Sequence, residues 1–320
     1  MKFHETHFED YISSSLTNNL HPKLESIYKL FPDDLKKLKN VIFYGPSGVG
    51  KYTQFLNAIK KYSPSELKYE KKISVSYNKQ QYYFKISDIH YEIDMSILGC
   101  NSKLLWHEIY QQIIDCISAK IDKSGIIVCK NFHDIHSELL ENFYSYMQKN
   151  NTIRINMVFI IITEHMSFLP DNIINCCELI SIPRPSKSQY RNCTLHSKKK
   201  LDSITEITNI KHLYIDVSHN NNYKIISNKL LNLIVNTNDF KFMTLRELLY
   251  DILIYNLDIS QCIWYIFSSL IREEKIPNTK ISQVLVKTQS FFKYYNNNYR
   301  PIYHMELYFI YLISIIHEIE

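Results

Sequence analysis

The sequence predicts an α/β unit with a parallel sheet, followed by an all-helical segment. Three observations carry this. A glycine-rich loop, Gly45-Pro46-Ser47-Gly48-Val49-Gly50-Lys51-Tyr52-Thr53, lies between the apolar run Val41–Tyr44 and a helix-compatible stretch at 53–61, whose Phe55, Leu56 and Ile59 share one face. The chain has only five glycines, and three of them fall in this loop. Two short apolar runs, 126–129 and 157–162, have the composition of strands buried on both faces of a parallel sheet. They alternate with helical patterns, as sequential strand–helix units do. From Tyr223 to the end the pattern is almost purely helical.

The elements follow in order. Residues 1–40 are mixed and partly helical, with Leu24, Ile27, Tyr28, Leu35 and Leu38 at helical spacing, interrupted by Pro22 and Pro32. Val41–Tyr44 is the first strand. Residues 71–93 alternate apolar and polar (Ile73, Val75, Tyr77; Tyr83, Lys85, Tyr91, Ile93), which predicts two or three strands. Asn101-Ser102 offers a cap for a helix running to about Ala119. The apolar strand 126–129, a helix over 137–148 and the strand 157–162 complete the unit. Pro183-Arg184-Pro185-Ser186 closes it and opens a polar segment containing Lys198–Lys200 and Asn220–Asn222. The expected division is 1–185, 186–222 and 223–320.

Composition narrows the function. The chain has 320 residues and a net charge of +5, from 37 basic and 32 acidic side chains, so it is not a polycation. Its seven cysteines form no C-x-x-C pair and no zinc spacing, as expected of free thiols in a reducing compartment. The first residues lack the apolar core of a signal peptide, and the longest apolar run, 307–316, is too short to span a bilayer. A soluble, intracellular protein without membrane contact is expected.

The loop carries the chemistry. Bare backbone N–H groups at a helix N-terminus bind phosphate, and strand, glycine loop, lysine and helix occur here in that order. The spacing fits G-x-x-x-x-G-K, but the position after Lys51, where a hydroxyl would ligate Mg²⁺, holds Tyr52. A tight strand–helix turn without ligand is the competing account.

In four collinear stretches the chain resembles the small subunits of replication factor C, the AAA+ clamp loaders that open a sliding clamp on primer–template DNA. These stretches are the loop 45–53, His90-Tyr91-Glu92-Ile93 with Asn101-Ser102, the two sheet strands with their Ile182–Ser186 exit, and Tyr294-Tyr295 with Pro301–Glu306. The resemblance implies an AAA+ domain over 1–185, a shortened lid over 186–222 and a helical collar over 223–320. It implies ATP or ADP at Gly45, Pro46, Ser47, Gly48, Val49, Gly50, Lys51, Tyr52 and Thr53. Thr163 falls at the place of a γ-phosphate sensor. It also implies partners: other clamp-loader subunits through the collar, the sliding clamp, which helix 102–119 with Leu104, Leu105, Trp106, Ile109 and Ile113 would approach, and primer–template DNA.

The departures are specific. The Walker B acids should follow strand 126–129, where the chain has Lys130 and Asn131; Asp134 serves only if the register slips. A P-loop site holds Mg²⁺ with the loop hydroxyl and that aspartate, so Mg²⁺ and hydrolysis are not expected, and no catalytic residue is assigned. The arginine that reaches a neighbour's ATP aligns with Cys176, Lys211 stands loosely for a second sensor, and the adenine-framing N-terminal motif is absent. The expectation is thus a clamp-loader subunit that itself does not hydrolyse ATP. Two alternatives stay open. An active P-loop ATPase of another family would need a carboxylate after a strand of the same sheet, and none stands out; a scaffold or regulatory protein would have lost nucleotide altogether.

Overall fold

The computed structural model describes residues 6–77, 80–148, 155–186, 188–190, 222–236, 240–295 and 300–318. It forms two compact units, within residues 1–214 and 215–320. Most of the expected lid lies outside the described residues, including Lys198–Lys200 and Lys211.

The first unit is built on one seven-stranded sheet. Its strands are β1 (Asn40–Tyr44), β2 (Lys71–Tyr77), β3 (Gln80–Ile86), β4 (His90–Asp94), β5 (Ser124–Lys130), β6 (Asn156–Thr163) and β7 (Cys177–Ser181), in the order β2-β3-β4-β5-β6-β1-β7. From β4 to β7 every neighbouring pair is parallel. The expected parallel sheet therefore accounts for five strands. β2, β3 and β4 pair antiparallel, because strands adjacent in sequence lack the long crossover that a parallel pair requires. The strand β7 was not apparent from its residues: Glu178 and Leu179 are exposed, and pairing with β1 makes it a strand.

Alternation along the central strands supplies two cores. Val41 and Phe43 of β1, Val128 of β5 and Ile160 of β6 face helix α3 (Lys51–Ile59), with α1 (Phe8–Thr17) and α2 (Leu24–Lys29) packed beside it. Ile42, Ile127 and Phe159 face the other way, onto α4 (Ser102–Ser118) and α5 (Ser137–Met147). The short α6 (Asp171–Asn175) leads into β7. Leu105, Trp106, Ile109 and Ile113 of α4 are buried in this second core; only Leu104 of the five expected near a clamp is exposed. Sheet packing accounts for that stripe.

The second unit contains α7 (Asn222–Val235), α8 (Phe242–Ile254), α9 (Ile259–Arg272), α10 (Ile281–Tyr295) and α11 (Pro301–His317). Asp258 caps α9 by accepting from the N–H groups of Ser260 and Gln261, and Pro301 occupies the first turn of α11. The apolar stripes of these helices largely find their partners inside the unit: Leu230, Leu245, Ile266 and Leu312 share one core. Glu306, from the 301–306 stretch, is buried and accepts from Arg246 Nε at 2.5 Å and Nη2 at 3.1 Å, tying α11 to α8. Among the described residues no helix is long and apolar enough to cross a membrane.

Candidate functional site

β1 ends at Tyr44 and the chain turns at once into the glycine loop. A Cβ at Gly45 would run into the backbone carbonyl of Ile182, just after β7. Ile182 is held there by donating its N–H to the Tyr44 carbonyl at 2.8 Å. Gly50 has φ +92° and is the N-cap of α3, a left-handed conformation that side chains disfavour. With that turn α3 begins at Lys51, two residues earlier than periodicity alone suggests. Pro46, Ser47 and Gly48 are half-buried at the mouth of the loop, while Val49 is anchored in the core with Phe55. Thr53 is half-buried on the second position after Lys51. The loop thus presents the N-terminal end of α3, with its orphan N–H groups and positive dipole end, the donor set that suits an anion.

Lys51 is folded back across this mouth. Its ammonium donates to the carbonyls of Gly45 at 2.8 Å and Pro46 at 2.7 Å, and pairs with Glu164 at 3.4 Å. Burial pulls its pKa below the ordinary lysine value, and Glu164 opposes that. Glu164 corrects the sequence reading that no carboxylate stands well placed after a strand. It directly follows β6, the strand beside β1, and the signal was its position next to Thr163. Thr163 itself sits opposite Tyr44 in the β1–β6 register, fully buried, with its hydroxyl hydrogen directed at the His165 carbonyl 2.8 Å away.

Tyr52 and Lys130, which stand where a P-loop site has its Mg²⁺ ligands, converge on a residue that sequence reasoning did not assign to the site. Glu92, on β4, is a fully buried carboxylate on the α3 face. Its Oε1 accepts from the Tyr52 hydroxyl at 2.7 Å and from His90 Nε2 at 3.2 Å, and its Oε2 accepts from Lys130 Nζ at 3.1 Å. On its other side the His90 ring places Nδ1 2.5 Å from the Ser87 hydroxyl oxygen. Phe8 packs on the His90 ring at a tilt and Phe55 meets it edge-on. Lys130 Nζ lies 5.2 Å from the centroid of the Tyr52 ring. Burial alone would push the Glu92 carboxyl up, but the hydrogen bond and charge of His90, with Lys130 and Tyr52, hold it below the ordinary glutamate value. Burial and the neighbouring Glu92 push the Tyr52 phenol far up, so Tyr52 stays protonated and donates.

This arrangement does not suit a divalent cation. An ammonium ends β5 where a carboxylate would ligate, and the tyrosine hydrogen is directed at Glu92. Asn131 donates to Asp94 at 3.0 Å, and Asp134 is half-exposed in the turn beyond Lys130, so the strand register has not slipped. Among the described residues no group of three or more His, Cys, Asp or Glu side chains converges on a metal position. Cys176 caps α6, and the pairing of Asn40 with Cys177 puts it at the opposite end of β1 from the loop.

The N-terminal segment contributes a contact that no motif announced. His21 Nε2 lies 2.8 Å from the Val49 carbonyl inside the loop, and its ring is buried. Burial lowers its pKa from 6.5, only partly opposed by the hydrogen bond to Val49. The folded protein therefore binds fewer protons than the unfolded chain below about pH 6.5, and stability falls as the pH drops through that value. His21→Gln keeps a donor without the titration. The thermal midpoint of the wild type is expected to fall more steeply than that of His21→Gln between pH 7 and pH 5. Parallel curves for the two proteins would show that His21 is not held neutral.

No family model matches the sequence, and no curated protein matches it. Among solved structures the chain is similar to Thermotoga maritima RuvB, a Holliday junction branch migration motor, at 14% identity and a TM-score of 0.34, covering 59% of this chain and 53% of that one. It is also similar to Saccharomyces cerevisiae RIF2, at 14% identity and a TM-score of 0.35, covering 70% of this chain and 80% of that one. The chain spans about half the length of the RuvB structures that it matches.

Proposed function

We propose that this chain is a nucleotide-binding, non-hydrolysing AAA+ subunit of a replication factor C-like clamp loader, working inside an ATP-driven assembly rather than as an ATPase. One observation carries the catalytic half of this reading: Tyr52 and Lys130, at the two Mg²⁺-ligand positions, are both bonded to Glu92. Phosphoryl transfer in P-loop proteins relies on that ion to neutralise developing charge, together with a residue that positions water. Asn131, at the latter place, is turned onto Asp94. The loop retains what nucleotide binding needs: the glycine turn, the start of α3 and Lys51. ATP or ADP is the ligand in this reading. The strand order supports the AAA+ assignment, since β6 is inserted between the loop strand β1 and β5.

The assembly half rests on the sequence resemblance. In it, 1–185 is the nucleotide domain, 186–222 a lid and 223–320 the collar that meets the other subunits, while the sliding clamp and primer–template DNA are the targets of the whole complex. Exposed Tyr303, Leu307 and Ile310 of α11 leave an apolar face for such a collar contact. The test has two arms. The purified chain with ATP and Mg²⁺ is expected to release phosphate at the background rate, unchanged by Lys51→Ala. Co-expressed with the remaining subunits of a clamp loader, it is expected to co-elute with them on size exclusion. Turnover that Lys51→Ala abolishes overturns the first half; separate elution overturns the second.

A further inference from the structure

We infer that the loop prefers nucleotide polyphosphate free of Mg²⁺, the Lys130 ammonium taking the electrostatic place of the divalent ion. The inference rests on the nucleotide-binding reading above and adds the ionic form of the ligand. In a P-loop site the metal is held by the side chain after the loop lysine and by an acidic side chain at the end of another strand of the same sheet. Here those side chains are Tyr52 and Lys130. They meet each other, with Lys130 Nζ 5.2 Å from the Tyr52 ring centroid, and both are fixed by the same carboxylate, one on each oxygen. A cation is thus built into the chain at the metal's position.

The fixing is firm and the cation still reaches solvent. The Glu92 side chain is 0% exposed and that of Lys130 is 28% exposed. On the loop side, a second ammonium, Lys51, is opposed by Glu164. Each lysine is thus held by its own glutamate, and the Asp94 carboxylate beside Lys130 is taken up on both oxygens by Asn131 Nδ2, so an arriving polyphosphate meets cations already positioned. A Mg²⁺ ion carried in on the nucleotide would be brought against Lys130 and would find no carboxylate at the end of β5. Like charges brought together this way discriminate strongly.

The experiment is calorimetric titration of the full chain with ATP and with ADP at constant ionic strength, in EDTA and in excess MgCl₂. Metal-free nucleotide is expected to bind at least about tenfold more tightly than its Mg²⁺ complex, a modest share of what like-charge contact can cost. Lys130→Asp should reverse that order. Because a second carboxylate beside Glu92 can disturb folding, Lys130→Gln is measured too; it should abolish the preference, with thermal unfolding confirming a folded protein. Tighter binding of the Mg²⁺ complex by the wild type, or a preference that survives in Lys130→Gln, overturns the inference and leaves nucleotide binding standing. No binding in either buffer overturns both.

Discussion

Glu92→Ala is expected to destabilise the α/β unit by about 3 kcal/mol, because it leaves a buried histidine and a largely buried ammonium without their common acceptor. Removing one partner of a buried ion pair typically costs about 3–5 kcal/mol, and the partial exposure of Lys130 places this site at the low end. Glu92→Gln keeps the shape and an acceptor for Tyr52 but not the charge, and should fall between the two proteins. Tyr52→Phe removes one hydrogen bond to a charged group and should cost about 1.5–3 kcal/mol. Urea unfolding at pH 7 measures all three. The pH dependence has a definite sign. A carboxyl held below its unfolded value contributes stability that is complete above about pH 4.5 and is lost as the pH falls through its folded value. The gap between wild type and Glu92→Gln should therefore narrow in acid. A Glu92→Ala protein within about 1 kcal/mol of wild type would mean that Lys130 and His90 find other partners.

Gly45→Ala is expected to cost about 3 kcal/mol or more, through backbone rather than side-chain strain. The added methyl would meet the carbonyl of Ile182, whose own N–H is bonded to Tyr44, so neither strand end can give way alone. Overpacking against a flexible side chain is relieved by a rotamer change; against a strand it requires β1 and β7 to part. Gly50→Ala provides the contrast. Its new methyl has room, the nearest atom being Leu20 Cδ1 at 3.6 Å, and the penalty comes only from the left-handed backbone, about 1 kcal/mol. Comparable unfolding midpoints for the two variants would refute the close approach at Gly45.

Much of the framework was legible because its strands are buried on both faces and its helices are strongly periodic. The helix expected at 137–148 is α5 over Ser137–Met147, and the strand expected at 157–162 is β6 over Asn156–Thr163. β7 was not legible, since an edge strand with Glu178 outward has neither alternation nor apolar continuity. The helix α1 was also missed: its buried positions are Phe8, Ile12 and Ser15, and a serine at the third hides the period. In the site, the substitutions at Tyr52 and Lys130 could be read as losses. What they gained could not, because Glu92 lies forty residues from one and thirty-eight from the other. Only the parallel pairing of β4 with β5, opposite α3, brings the three together.

The position of β1 in the sheet bears on how the chain acquires its fold as it emerges from the ribosome. β2, β3, β4 and β5 can pair in succession, each with a strand already made. β1 is synthesised before all of them, yet its strand partners among the described residues are β6 and β7. Val41, Ile42 and Phe43, each 0% exposed in the finished fold, therefore wait unpaired until Thr163 and then Ser181 have been made. Long-range parallel pairing of this kind is slow and leaves apolar sequence open to wrong associations in the meantime. The loop that would hold the nucleotide is thus framed on both sides by strands made more than a hundred residues after it.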